Sequence, residues 1–150
     1  MVLPKKSWFV VADGAKASIF AREGRHGVLQ AVKRLESTTA RARSGDLTTD
    51  GPGRVGESAN AAHHAYEPRT DPHRHEEEVF VKSVAEFVSS RADGTDFDQL
   101  VIISPSRTLG QLRRNLAPRA RDMVRSEIDK DFAHMTDDRV ESFIAALDLP

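Results

Sequence analysis

The N-terminal part of the chain alternates between apolar runs and glycine-containing turns. Residues 8–12 are continuously apolar and rich in β-branched and aromatic side chains, which is typical of a strand buried on both faces. Asp13-Gly14 is a tight-turn signal, because glycine tolerates positive φ without steric cost. Residues 15–22 alternate between apolar and polar positions, and residues 28–36 do so less regularly. The pattern predicts a three-strand meander.

The pattern disappears in a long polar segment. From Ser37 to Asp71 the only sizeable apolar side chains are Leu47, Val55 and Tyr66. A structureless segment of this length is uncommon inside a compact domain and is usually either functional or disordered. We therefore predict a long polar loop at about 37–72 and take it as the candidate functional segment. The alternative is a disordered insertion that carries no site.

Regular patterning returns after the loop. Asp71 suits the N-cap of a helix and Pro72 suits its first position. Apolar side chains then recur at helical spacing, which predicts an amphipathic helix over residues 72–90. Residues 100–103 are wholly apolar and predict a short buried strand.

The last third of the chain predicts helices around one more strand. Leucines at helical spacing predict a helix from about residue 109, and Pro118 divides this region because proline disrupts a helix interior but fits a helix start. Residues 123–128 extend the apolar face of the second helix. Residues 132–135 are a candidate strand, and Thr136 is a candidate cap for a final helix.

The predicted element order describes one α/β (α+β) domain over residues 1–150. Strands and helices in the order βββ-loop-α-β-α(α)-β-α indicate a mixed sheet with helices packed on it. The chain contains no cysteine, which excludes disulfides, iron–sulfur clusters, thiolate zinc sites and cysteine nucleophiles. The formal net charge is −1, so binding to nucleic acid would need a local basic patch.

No targeting segment is evident in the hydropathy pattern. The apolar run that follows the first basic residues ends at Ala12, which is too short for the core of a signal peptide. No stretch approaches the ~20 apolar residues of a membrane helix. We therefore expect a cytoplasmic protein without membrane insertion.

Arginines are concentrated in the loop and in the helical region near residues 107–125. Together they suggest a phosphate-binding face for RNA, with ordinary solvation of helices as the alternative. The candidate RNA- or phosphate-binding residues are Arg41, Arg43, Arg54, Arg107, Arg113, Arg114 and Arg121.

Histidines and carboxylates near the start of the predicted helix form a second constellation. His73 and Glu77 would share one helix face, and His75 lies beside them, so the three are candidate metal ligands. A solvated, polar helix start is the interpretation we favour, and we expect no metal and no other cofactor. Residues 51–56 lack the context and the lysine of a nucleotide-binding P-loop.

Several segments occur in a recognisable order along nearly the whole chain: residues 8–20, Gly51-Pro-Gly-Arg54, Asp71-Pro-His73 with Glu76-Glu77, residues 98–105, residues 109–113 and residues 128–132. Together they resemble the bacterial host-attachment protein family, whose members are described as required for attachment to host cells.

That family in turn resembles the middle domain of archaeal and eukaryotic class-1 peptide-chain release factors and of Pelota. The resemblance implies an RNase H-like mixed sheet and a basic loop between the meander and the first helix. The release-factor loop reads Gly-Arg-Gly-Gly-Gln-Ser, whereas this chain has Gly53-Arg54-Val55-Gly56-Glu57-Ser58. Val55, Gly56 and Glu57 therefore stand where the resemblance places the hydrolytic Gly-Gly-Gln tripeptide.

The differences between this loop and the release-factor loop make a hydrolytic function less expected. Val55 lacks the backbone freedom of glycine, and the carboxylate of Glu57 has no N–H to donate. We expect a non-enzymatic module that binds tRNA, the ribosome or a protein partner through the 37–72 loop. One alternative is an ester hydrolase, such as a peptidyl-tRNA hydrolase, with Glu57 as the general base and Arg54 stabilising charge. Another is a protein-interaction module that regulates attachment indirectly.

Overall fold

The computed structural model describes residues 3–38 and 72–149. Within these ranges one mixed sheet has the strand order β3-β2-β1-β4-β5. Its strands are β1 (Lys6–Ala12), β2 (Lys16–Glu23), β3 (Gln30–Glu36), β4 (Gln99–Ser104) and β5 (Val124–Asp129). The helices of the described residues are α1 (Pro72–Ala92), α2 (Ser106–Asn115), α3 (Pro118–Asp122) and α4 (Asp137–Ala146).

Strand directions divide the sheet into two halves. β1, β2 and β3 pair antiparallel as the predicted meander. β4 pairs parallel with β1, and β5 pairs parallel with β4. The α/β fold with a mixed sheet is therefore confirmed.

Two hydrophobic cores cover the two faces of the sheet. On the front face, Trp8 and Val10 pack with apolar residues of α1, α2 and α3. On the back face, Phe9 and Val11 pack with Val140 of α4 and its neighbours. Alternate side chains of β1 therefore point into different cores, which is why residues 8–12 form an uninterrupted apolar run.

Local signals place three helix starts correctly. Pro72 begins α1, and Pro118 begins α3 after the break near Ala117. The side chain of Thr136 accepts a hydrogen bond from the backbone N–H of Arg139, so this residue caps α4 as predicted.

The region between α3 and α4 differs from the prediction. Residues 123–128 were expected to continue a helix and residues 132–135 to form a strand, and both predictions are wrong. The last strand is β5, with alternating half-buried and exposed positions, while Phe132–Met135 form a turn closed by a hydrogen bond from the backbone N–H of Met135 to the carbonyl of Phe132 (3.0 Å). Val124 and Ile128 are four residues apart, a spacing that fits both a helix and a strand, and the parallel pairing with β4 selects the strand.

Candidate functional site

The ends of four strands meet at one edge of the sheet, which we call the carboxyl edge. β1, β4 and β5 are parallel and end there, and β3 ends there because it runs in the same direction as β1. The backbone N–H of Ser37 donates to the carbonyl of Ala15 (2.8 Å), which fixes the end of β3 beside the β1–β2 turn. In open α/β sheets, ligands bind most often outside the carboxyl ends of the strands.

Both ends of the predicted 37–72 loop lie at this edge. The described chain stops at Thr38 after β3 and resumes at Pro72, the first residue of α1. Between β3 and α1 lies a groove of about 480 Å³. It is lined by Lys33, Arg34, Leu35, Glu36, Ser37, Thr38, His75, Glu76, Val79, Phe80 and Ser83. The two anchor points of the loop therefore flank one groove with charged and apolar walls.

Six of the predicted site residues fall inside the loop and lie outside the described residues. They are Arg41, Arg43, Arg54, Val55, Gly56 and Glu57.

Arg107 is the predicted phosphate-binding residue that reaches the carboxyl edge. It lies in the first turn of α2, and its Nη2 is 3.9 Å from Oε1 of Glu77. Glu77 packs on the β1–β2 turn, because a Cβ added to Gly14 would be 2.9 Å from the Glu77 Cγ and Cδ atoms. Arg107 is about half exposed, so its charge remains accessible at the carboxyl edge.

Arg113 and Arg121 lie away from the carboxyl edge, in the last turn of α2 and in α3. Arg113 pairs with Glu127 of β5, and this hydrogen bond raises the pKa of Arg113. Arg121 donates from Nε to the carbonyl of Arg113 (3.2 Å) and from Nη2 to the carbonyl of Leu116 (3.1 Å), so it satisfies carbonyls at the end of α2. Arg107 and Arg113 are separated by roughly 9 Å along the helix axis.

Arg114 lies on a different surface from Arg113. It lines a groove of about 360 Å³ between α1 and α2, together with His75 and Lys82. Within the part of the chain that the structure describes, no ion pair is formed by Arg114. The four predicted arginines that the structure describes therefore lie on three surfaces instead of one face.

The side chains that come together as possible metal ligands are not the ones that the sequence suggested. Among residues 3–38 and 72–149, the side chains that converge are Asp13, Asp131 and His134, and His73, His75 and Glu77 form no such group. Asp13 follows β1, and the other two lie in the turn after β5. These residues follow strands whose ends meet at one edge of the sheet. The sequence did not reveal this, because residues 124–129 were not recognised as a strand.

The described residues contain no helix that is both long enough and apolar enough to span a membrane.

Comparisons with known proteins agree with this architecture. The sequence family described as "Protein required for attachment to host cells" matches residues 8–144. The crystal structure of an archaeal translation termination factor is similar with a TM-score of 0.51 at 13% sequence identity, covering 93% of this chain and 36% of that chain. Another solved structure, described as an archaeal protein, has a TM-score of 0.47 at 14% identity with the same coverage. No curated protein matches the chain.

The likeness to the termination factor concerns the fold. The chain spans 36% of the length of that protein, and their sequence identity is 13%. The shared architecture agrees with the resemblance to the release-factor middle domain inferred from the sequence.

Proposed function

Because the chain belongs to the family of proteins required for attachment to host cells, and its fold is similar to part of a translation termination factor, we propose that it is a non-enzymatic module that binds tRNA or the ribosome. Binding takes place through the 37–72 loop and Arg107. One observation carries this proposal: both ends of the loop lie at the carboxyl edge, beside the groove between β3 and α1.

Charge placement supports a phosphate-bearing partner. The loop contains Arg41, Arg43 and Arg54, and Lys33 contributes a further positive charge to the wall of the groove. A chain with a net charge of −1 binds nucleic acid only where such charges are grouped. Contacts of this kind release counterions from the phosphate backbone and give salt-sensitive affinity.

The loop sequence favours binding over hydrolysis. Glu57 places a carboxylate where the release-factor resemblance has glutamine, and a carboxylate cannot donate a hydrogen bond. It is also repelled by RNA phosphates. Since a ribosomal partner requires a cytoplasmic protein, the contribution of the chain to host attachment would then be indirect, through translation inside the cell.

Protein binding is the second candidate, and one observation favours it. Val79 is 55% exposed on α1 and lines the groove together with the half-buried Leu35. An exposed apolar residue within a groove suits the side chain of a protein partner. In this case the loop would bind a regulator of attachment in place of RNA.

Co-sedimentation with ribosomes tests the proposal. We expect the protein to pellet with ribosomes at about 50 mM salt and to be released at about 300 mM, because phosphate contacts weaken with salt. The triple variant Arg41→Ala, Arg43→Ala, Arg54→Ala should lose most of this enrichment. A matched control removes three charges at the opposite edge of the sheet, with Lys5→Ala, Arg25→Ala and Arg91→Ala, and should behave as the wild type. Absence of wild-type enrichment at low salt would contradict the proposal.

A further inference from the structure

We propose that Asp13, Asp131 and His134 form a binding site for a divalent transition-metal ion at the carboxyl edge. Each residue offers one ligand atom, and the three atoms lie within 4.8 Å of one another. Nδ1 of His134 is 3.5 Å from Oδ1 of Asp131. Small rotations of exposed side chains would bring these atoms to the spacing that a shared metal ion requires.

The β1–β2 turn fixes Asp13. Its Oδ1 accepts hydrogen bonds from the backbone N–H groups of Ala15 and Lys16, both at 2.8 Å. The carboxylate is therefore oriented by the main chain, and Oδ2 remains the available ligand atom. Asp13 is half-buried, whereas the other two members of the group are exposed.

The turn between β5 and α4 positions the other two ligands. Phe132 and Met135 pack against the back core on either side of His134, and Phe132 meets Phe143 edge-to-face at 4.6 Å between ring centroids. This packing holds Asp131 and His134 beside Asp13, although the segments are far apart in the sequence. The fold itself therefore assembles the three ligand types.

The charges at this point are not balanced by neighbouring lysines or arginines. Within the described ranges, neither Asp13 nor Asp131 has an ion pair with a lysine or arginine. Lys16 pairs with Glu36, Arg34 pairs with Asp137, and Asp131 contacts His134. Two carboxylates at this separation repel each other. A cation bound between the two carboxylates would offset this repulsion, because both would coordinate it.

A polar cavity of about 410 Å³ borders His134, and Lys16, Arg34 and Glu36 also contribute to its wall. Three protein ligands leave coordination positions open, as in metal sites that bind an additional ligand.

The donor set indicates the class of metal. One imidazole nitrogen with two carboxylate oxygens suits Zn²⁺ or Mn²⁺, whereas Ca²⁺ and Mg²⁺ favour sites with oxygen ligands alone. None of the three ligands belongs to the proposed RNA-binding loop, and the test does not depend on ribosome binding.

Calorimetric titration of the chelator-treated full chain with Zn²⁺ and, separately, with Mn²⁺ tests the proposal. We expect a bound equivalent whose affinity falls at least tenfold in His134→Ala and in Asp131→Asn, since loss of a ligand or its support typically costs 10–100-fold. Asp13→Asn keeps the oxygen that orders the turn and should weaken binding to a similar extent.

Two histidine variants serve as controls. His26→Ala removes an exposed histidine from the β2–β3 turn, and His75→Ala removes one of the ligands predicted from the sequence. Both should keep the wild-type affinity for this equivalent within twofold. The proposal is overturned if the wild type binds neither metal, or if His134→Ala and Asp131→Asn bind with unchanged stoichiometry and affinity.

Discussion

Glu77 of α1 packs directly on Gly14 of the β1–β2 turn, with its Cγ and Cδ atoms 2.9 Å from the position that a Gly14 Cβ would occupy. The sequence predicted a turn at Gly14 because glycine tolerates positive φ. Among the described glycines, however, positive φ occurs at Gly24 and not at Gly14. The absence of a side chain at Gly14 instead allows α1 to approach the carboxyl edge, and this contact also brings Glu77 to Arg107.

Gly14→Ala and Gly27→Ala should have different effects on stability. The new methyl group at residue 14 meets the flexible end of Glu77, which can move aside. At residue 27 it would lie 2.1 Å from the backbone oxygen of Glu23, which cannot move without distorting the turn. We expect Gly14→Ala to reduce the free energy of unfolding by about 1 kcal/mol or less and Gly27→Ala by about 2 kcal/mol or more. Urea denaturation measures both, and a larger loss for Gly14→Ala would be inconsistent with the packing described.

Thr136→Ala should destabilise the protein by about 1 kcal/mol, because the Thr136 hydroxyl accepts the backbone N–H of Arg139 at the start of α4. Thr136→Ser keeps the acceptor and should retain most of the stability. Chemical denaturation of the two variants side by side tests the assignment. Equal losses in both would show that the hydroxyl does not act as a cap.

Arg22 is a buried cation on the back face of the sheet. The residue is 6% exposed, its guanidinium lies 5.0 Å from the centre of the Phe9 ring, and its Nε and Nη2 atoms have no hydrogen-bond partner in the described residues. Burial, and then the nearby charge of Arg25, lower the pKa of Arg22. A base whose pKa falls on folding binds its proton more tightly in the unfolded chain, so the charge opposes folding at every pH below the folded pKa.

Arg22→Met should therefore leave stability unchanged or raise it by about 1 kcal/mol, because an apolar side chain of similar length removes the unpaired donors. The difference from the wild type should be constant from about pH 6 to about pH 8, since Arg22 stays protonated there in both states. Thermal and urea unfolding across this range provide the measurement. A clear loss of stability in Arg22→Met would mean that the guanidinium has a stabilising partner.

Arg107→Ala and Arg121→Ala should show that ribosome binding and stability depend on different arginines. Arg121 donates to two backbone carbonyls at the end of α2, so its loss should cost about 1 kcal/mol of stability. Arg107 has one long, exposed contact with Glu77, so its removal should change stability by less than about 0.5 kcal/mol. Only Arg107→Ala should weaken ribosome binding when both variants are folded, and the reverse outcome would place the binding face at α3.

The elements that could be predicted from the sequence are those that depend on a few neighbouring residues. The meander, the start of α1 at Pro72 and the cap at Thr136 are of this kind. β5 was missed because it is an edge strand whose half-buried and exposed residues alternate, and its identity depends on pairing with β4. For the same reason the sequence could not show that Asp13 and His134 meet, since that contact requires the order β1-β4-β5 in the sheet.

The salt dependence of ribosome affinity tests the proposal that the 37–72 loop presents arginines to RNA phosphates at the carboxyl edge. Each phosphate contact contributes roughly 0.7–0.9 to the slope of log affinity against log salt concentration. We expect Arg41→Ala, Arg43→Ala and Arg54→Ala together to flatten the wild-type slope by about 2, while the control with Lys5→Ala, Arg25→Ala and Arg91→Ala keeps it. Equal slopes for the wild type and the loop variant, or no measurable affinity of the wild type at low salt, would contradict this mode of binding.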